Sequence, residues 1–164
     1  DRLKRQDLVL SALKCCESPV EVWFSGYMGD ATYYEELMVM MRRLKLENRV
    51  KWLGEVSESQ KVELYARALG IIYPPIDEDY GYVTLEAMLS AKPVITCFDS
   101  GGPREFVIDG ESGLIVEPSS ESLSVAVDSL WKNRKEAVRW GKAGKQLYKE
   151  LEISWPKVVK KLLG

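Results

Sequence analysis

Residues 70–88, Gly70-Ile71-Ile72-Tyr73-Pro74-Pro75-Ile76-Asp77-Glu78-Asp79-Tyr80-Gly81-Tyr82-Val83-Thr84-Leu85-Glu86-Ala87-Met88, decide the fold. Gly70 to Tyr73 is a short, continuously apolar strand, the kind a parallel sheet buries on both faces. Pro74-Pro75 stops it, three acids and Gly81 form a loop, and an apolar helical pattern runs to about Ser90. Strand, glycine loop and helix in this order make one unit of a β/α alternation.

The same alternation extends in both directions. Leu3 to Cys16 carries apolar residues at 8, 9, 12, 13 and 16, a helical stripe that Pro19 ends. Val20 to Phe24 reads as a strand, followed by the glycine-punctuated loop Ser25 to Asp30. Residues 31–46 read as a helix with Asp30 as N-cap, and Asn48 to Gly54 as an alternating strand. Ser57-Glu58-Ser59-Gln60 has capping-box form and opens a helix to about Ala68. Pro93 to Cys97 is a further strand. Pro103 opens a short helix ending at Gly110, Gly113 to Val116 is the last strand, and a largely helical tail occupies about 119–164.

The expectation is therefore an α/β fold with a doubly wound, Rossmann-like parallel sheet, in one domain of 164 residues. Ligands in such sheets bind outside the carboxyl ends of the strands. That selects loops 25–30, 54–57, 74–82 and 98–104.

Composition narrows the chemistry. The chain has no histidine, which removes His-based acid/base catalysis and His-ligated metals. A net charge of -2 gives no support for nucleic-acid binding. No apolar run approaches a membrane span. Cys15, Cys16 and Cys97 have no paired spacing and read as reduced packing residues in a cytoplasmic setting. Asp1 to Arg5 lack a signal peptide's apolar core and resemble a chain entered mid-structure.

Within 77–88, Asp77-x-Asp79 could ligate a divalent cation, but no second acidic cluster completes a shell. Three glutamate pairs stand eight residues apart, 47/55, 55/63 and 78/86, so spacing alone decides nothing. Only Glu78 and Glu86 straddle a strand end, a glycine turn and a helix start. On one continuous helix they would lie ~12 Å apart and off a common face, whereas a loop lets Glu78 fold back over the helix start. There Gly81 permits close approach, and Tyr82, Val83 and Thr84 could present amides to a phosphate. Alternatively, Glu78 and Asp79 are only capping acids. Lys4 and Arg5 stand at the wrong end of their helix for its dipole, yet would suit a leaving diphosphate.

Residues 2 to about 132 resemble the C-terminal, donor-binding half of GT-B-fold glycosyltransferases, specifically the large family 4 of retaining enzymes. The resemblance rests on five ordered segments: Lys4 to Leu10, Phe24-Ser25-Gly26, Val50 to Val56, Glu78 to Glu86 continuing through Ala91-Lys92-Pro93, and Gly101 to Val116. It implies that Glu78 contacts donor-sugar hydroxyls near the reacting carbon and Glu86 holds the ribose. Amides of Gly81, Tyr82 and Val83 would approach sugar and diphosphate, with Gly26 in the glycine turn. Lys4 would neutralise the departing phosphates, and the loop around Val56 would meet the base.

The implied activity is retaining transfer of a hexose, with mannose from a GDP donor preferred over other GDP or UDP sugars. No metal or other cofactor is implied. The partners are the nucleotide sugar and an N-terminal acceptor domain absent from this sequence; any membrane contact would come through that domain. The full enzyme would serve polysaccharide or glycolipid biosynthesis, in the cytoplasm or at the cytoplasmic membrane face, and the isolated domain would be inactive.

The sequence also departs from the family pattern. A Gly-Arg strand ahead of the lysine segment is absent, and Arg2 only stands near that arginine's place. The glycine turn reads Gly26-Tyr27-Met28-Gly29, and Asp79 follows Glu78 where a small residue is usual. A sugar-nucleotide epimerase, a phosphorylase-like domain and a non-catalytic nucleotide-binding module are the alternatives.

Overall fold

The computed structural model describes residues 1–151. After a 3-10 turn at Arg2–Lys4, strands β1 (Val22–Phe24), β2 (Val50–Trp52), β3 (Ile71–Ile72), β4 (Val94–Cys97) and β5 (Gly113–Val116) alternate with helices. These are α1 (Gln6–Cys15), α2 (Ala31–Leu44), α3 (Glu58–Arg67), α4 (Tyr82–Leu89), α5 (Pro103–Phe106), α6 (Ser120–Lys132) and α7 (Arg134–Leu151). All strand pairing is parallel.

Side chains alternate between two cores, which is what double winding requires. Ile72, Ile95, Leu114 and Val116 join the core packed by α1, α2 and α6. Ile71, Tyr73, Val94 and Ile115 join a second, with Ala87 and Val83 of α4 and Tyr65 of α3. β4 is buried along its whole length, whereas β3 is only half-buried, less than its apolar run implies.

The reason is a break in the sheet. The strands form a β1-β2 pair and a separate β3-β4-β5 group. β1 pairs with β2 through Val22 and Phe24, and β3 pairs with β4 through Ile71 and Tyr73. The parallel ladder therefore turns the peptide groups of Trp23 and Ile72 toward the break. Val22 and Ile72 pack there against apolar residues of α1 and α6, leaving no room for a water molecule.

The helix starts follow local chemistry. Asp30 accepts from the Tyr33 amide to cap α2. Ser57 and Gln60 complete a reciprocal capping box on α3. Pro103 occupies the first turn of α5. That helix stops at Phe106 rather than Gly110, because Val107 is extended into the core and Ser112 closes the following turn on the Ile108 amide. The first helix also divides: Arg5 adopts φ 51°, separating the 3-10 turn from α1.

In the tail, Trp131 and Trp140 pack against the main core. Tyr148 is half-buried, and Trp155, with the rest of the expected helical tail, lies outside the described residues. Cys16 and Cys97 are buried, with thiols pushed by burial to about 11, so they pack rather than react. Cys15 corrects the packing expectation: it is exposed on the last turn of α1.

Candidate functional site

Every candidate residue lies at or beyond a strand's carboxyl end, except Lys4, which the chain folds back to meet them. The 3-10 turn is tied to the loop after β3 by the Ile76 amide, which donates to the Leu3 carbonyl at 2.7 Å. This tie carries Lys4 to Glu78. The Lys4 ammonium donates to Glu78 Oε2 in a partly buried ion pair, and to the Tyr73 hydroxyl at 3.1 Å. The Tyr73 hydroxyl in turn donates to Glu78 Oε2 at 2.9 Å. Lys4 also stands 5.6 Å from the Tyr73 ring centroid.

Electrostatics follow from this cluster. The hydrogen bond from Lys4 holds the Glu78 carboxyl below the usual glutamate range, opposed by burial and helped by Tyr73. Burial works against the Lys4 charge, but hydrogen bonds to Glu78 and Tyr73 outweigh it and raise its pKa. Burial, above all, raises the Tyr73 hydroxyl, which stays protonated as a donor. At neutral pH the cluster is thus a cation, an anion and a fixed neutral donor.

Removing the middle member has a definite consequence. In Tyr73→Phe the Glu78 titration midpoint should rise toward the ordinary value near 4.5, and in Lys4→Met rise further. The sign is that of a depressed carboxylate: its stabilisation is complete above that value and is lost as pH falls through the folded midpoint. Carboxyl-carbon NMR titration of Glu78 reads this directly, and an unchanged midpoint in both variants contradicts the assignment.

The second carboxylate has its own setting. Glu86 lies on α4 and is half-buried. Lys61 Nζ donates to its Oε1 at 2.8 Å, and the Tyr65 hydroxyl donates to its Oε2 at 2.9 Å. Glu78 and Glu86 therefore do not share a partner; each faces its own lysine–tyrosine pair.

Between them, Gly81 is the N-cap of α4 at φ 70°, and an added Cβ would meet Pro103 Cγ at 2.9 Å. A side chain is excluded there on both counts. No side chain caps α4, and its first turn contains no acid. Among the described residues the amides of Tyr82 and Val83 have no protein acceptor, while Thr84 donates back to the Gly81 carbonyl at 2.8 Å. This decides against Glu78 and Asp79 as capping acids. Tyr82 is exposed and stacks obliquely on Tyr80, 5.0 Å between centroids.

Asp77 and Asp79 are exposed flanks of Glu78. Among the described residues no three His, Cys, Asp or Glu side chains converge as a metal-ligand set. At the other strand ends, the Gly26 amide donates to the Gly54 carbonyl at 2.8 Å. That bond joins the glycine turn to the loop leading to half-buried Val56. Arg2 turns away onto α2, bonded to Glu36 at 2.7 Å and lying over the Tyr33 ring.

Residues beyond the expected set also build the site. Arg5, in its strained turn, makes two hydrogen bonds to Asp99, at 2.7 and 2.5 Å. The loop containing Asp99 runs beside 77–79: Asp77 N–H donates to the Asp99 carbonyl and Glu78 N–H to the Ser100 carbonyl, at 2.9 and 3.1 Å. Gly101 and Gly102 lie against the Glu78 backbone, and Gly102 N–H donates to the Glu78 carbonyl at 2.6 Å. The loop 98–104 is therefore scaffold for Glu78. Tyr73 gives no signal in the sequence beyond one hydroxyl in an apolar strand; Lys61 and Tyr65 could be paired by their one-turn spacing on α3.

Uncapped amides, two oriented carboxylates and a lysine thus stand together at the mouth of a doubly wound sheet, an arrangement with donors for an anion and acceptors for hydroxyls. The chain belongs to the glycosyl transferases group 1 family, whose family model matches residues 1–147. The alpha-1,3/1,6-mannosyltransferase ALG2 of Dictyostelium discoideum is 32% identical over 122 residues, 74% of this chain and 29% of that protein. The structure of HepE from Anabaena, solved with UDP and glucose, superposes with a TM-score of 0.89 at 26% identity. That match covers 99% of this chain and 45% of HepE. The C-terminal domain of a glycosyl transferase group 1 family protein from Francisella tularensis matches with a TM-score of 0.75 and 24% identity, a likeness of fold. It covers 92% of this chain and 80% of that domain. The expected α/β, Rossmann-like C-terminal half of a GT-B glycosyltransferase stands. The chain spans less than a third of the mannosyltransferase's length and under half of HepE's. None of the described helices is long and apolar enough to cross a membrane.

Proposed function

We propose that this chain is the donor-binding part of a retaining hexosyltransferase, gripping a nucleotide-diphosphate sugar at the strand carboxyl ends. The carrying observation is the Lys4–Tyr73–Glu78 cluster beside an uncapped helix start. A diphosphate would accept from the Tyr82 and Val83 amides and draw positive charge from Lys4. Glu78 would meet the sugar near the reacting carbon. As the sugar–phosphate bond breaks, charge grows on the departing diphosphate, and Lys4 with the helix amides would stabilise it. Glu86 would take the ribose hydroxyls, Gly26 would face the donor across its turn, and the loop at Val56 would meet the base.

The UDP-bound Anabaena structure supports a nucleotide donor, and the mannosyltransferase relative supports mannose as the transferred hexose. The acceptor would be held by an N-terminal domain of the same enzyme, which would also make any membrane contact at the cytoplasmic face. No residue here needs a metal: the lysine and amides supply the positive charge.

Thermal-shift binding across UDP, GDP and ADP sugars, with and without chelator, tests the reading. At 100 times its Kd, one nucleotide class should stabilise the fold by about 2.7 kcal/mol, a rise of roughly 5–10 °C, unchanged by chelator. No shift with any nucleotide contradicts donor binding; abolition by chelator returns Asp77 and Asp79 to a metal role.

A further inference from the structure

Lys61 and Tyr65 stand one turn apart on α3 and converge on Glu86 from the same helix face. They occupy different oxygens of that carboxylate: Lys61 donates to Oε1 at 2.8 Å, Tyr65 to Oε2 at 2.9 Å. Burial above all, and then the Glu86 charge, drive the Tyr65 hydroxyl far above the usual tyrosine range. It therefore remains a donor, with its proton committed to Glu86. Lys61 is also bonded to Glu58 at 3.0 Å, which restrains its ammonium from a second side.

A carboxylate has about four acceptor sites, two on each oxygen. With one site on each oxygen filled from α3, one on each remains open. The headgroup is also prevented from rotating, which a lone carboxylate on an eight-residue helix would do freely. A pair of open acceptors on a fixed carboxylate matches a vicinal diol.

We propose that Lys61 and Tyr65 are positioning residues that hold Glu86 so that its open lone pairs receive the 2′ and 3′ hydroxyls of the donor's ribose. This rests on Glu86 as the ribose grip. It assigns α3 a part in recognition: without a fully buried residue of its own, α3 meets α4 through these polar groups and Tyr65. A partly exposed Lys–Glu pair contributes little to folding by itself, so the signature belongs in ligand discrimination rather than stability.

The test is calorimetric titration of the chain with UDP and GDP, each beside its 2′,3′-dideoxy counterpart. Wild type should bind the better ribonucleotide about ten-fold tighter than its dideoxy form. Tyr65→Phe, which keeps the packing ring, and Lys61→Met should each cut that preference to about two- to three-fold. The dideoxy nucleotide should bind both variants as it binds wild type, and Lys61→Arg should restore most of the preference. Undiminished discrimination in both variants overturns the inference alone. Equal binding of ribo and dideoxy forms by wild type overturns the role of Glu86 and this inference with it. Failure to bind either nucleotide overturns the donor-binding reading itself.

Discussion

Glu78→Gln in the full-length enzyme is expected to lower kcat about 100-fold, with the donor KM changed by only a few-fold. The substitution keeps size, and Tyr73 can still donate to the amide oxygen. What it removes is the negative charge that the Lys4 hydrogen bond holds ionised. A charge placed beside the reacting carbon acts when positive character develops on the sugar, so the loss falls on the transition state. Lys51→Gln is the matched control: Lys51 pairs with Glu21 at 2.8 Å on the exposed face of β2. Its turnover should stay within about two-fold of wild type. Steady-state kinetics on both variants decides the matter, and equal losses would sink the assignment of Glu78.

Gly101→Ala is expected to undo the support that holds Glu78 in place. Gly101 has φ 68°, a region that costs an L-residue about 1–2 kcal/mol. The added Cβ would lie 2.7 Å from the Glu78 carbonyl oxygen and 2.8 Å from its amide nitrogen. Both contacts are backbone, so relief requires separating the 98–102 loop from the 77–79 loop. The hydrogen bonds from Glu78 and Gly102 that join those loops would stretch, and Glu78 would leave Lys4. A stability loss of about 3 kcal/mol is expected in chemical denaturation, together with loss of nucleotide binding at concentrations that saturate wild type. Retained stability and affinity would show that the two loops do not support one another.

Much of this arrangement is legible in the sequence, because the local signals agree. Asp30, the Ser57–Gln60 box and Pro103 each mark a helix start by chemistry that acts within a few residues. The glycine between Glu78 and Glu86 marks the turn that aims both sides of α4. What the sequence hides depends on contacts across the chain. Tyr73 reads as one more apolar strand residue until Lys4, 69 positions away, folds against it. Arg5 and Asp99 are 94 positions apart, and nothing local pairs them. The one-turn spacing of Lys61 and Tyr65 puts them on one face of α3, but their partner Glu86 is on α4, 25 and 21 positions away. The break between β1 and β3 likewise belongs to sheet order, which strand periodicity leaves open.

Bound as proposed, a nucleotide-diphosphate sugar lies over the start of α4 between the two carboxylates. The most direct measurement is amide NMR of the 15N-labelled chain titrated with UDP and GDP. The predicted shift changes concentrate at Gly81, Tyr82, Val83 and Thr84, with smaller ones at Gly26 and Val56. Saturable changes confined to other surfaces, or none at millimolar nucleotide, would contradict it.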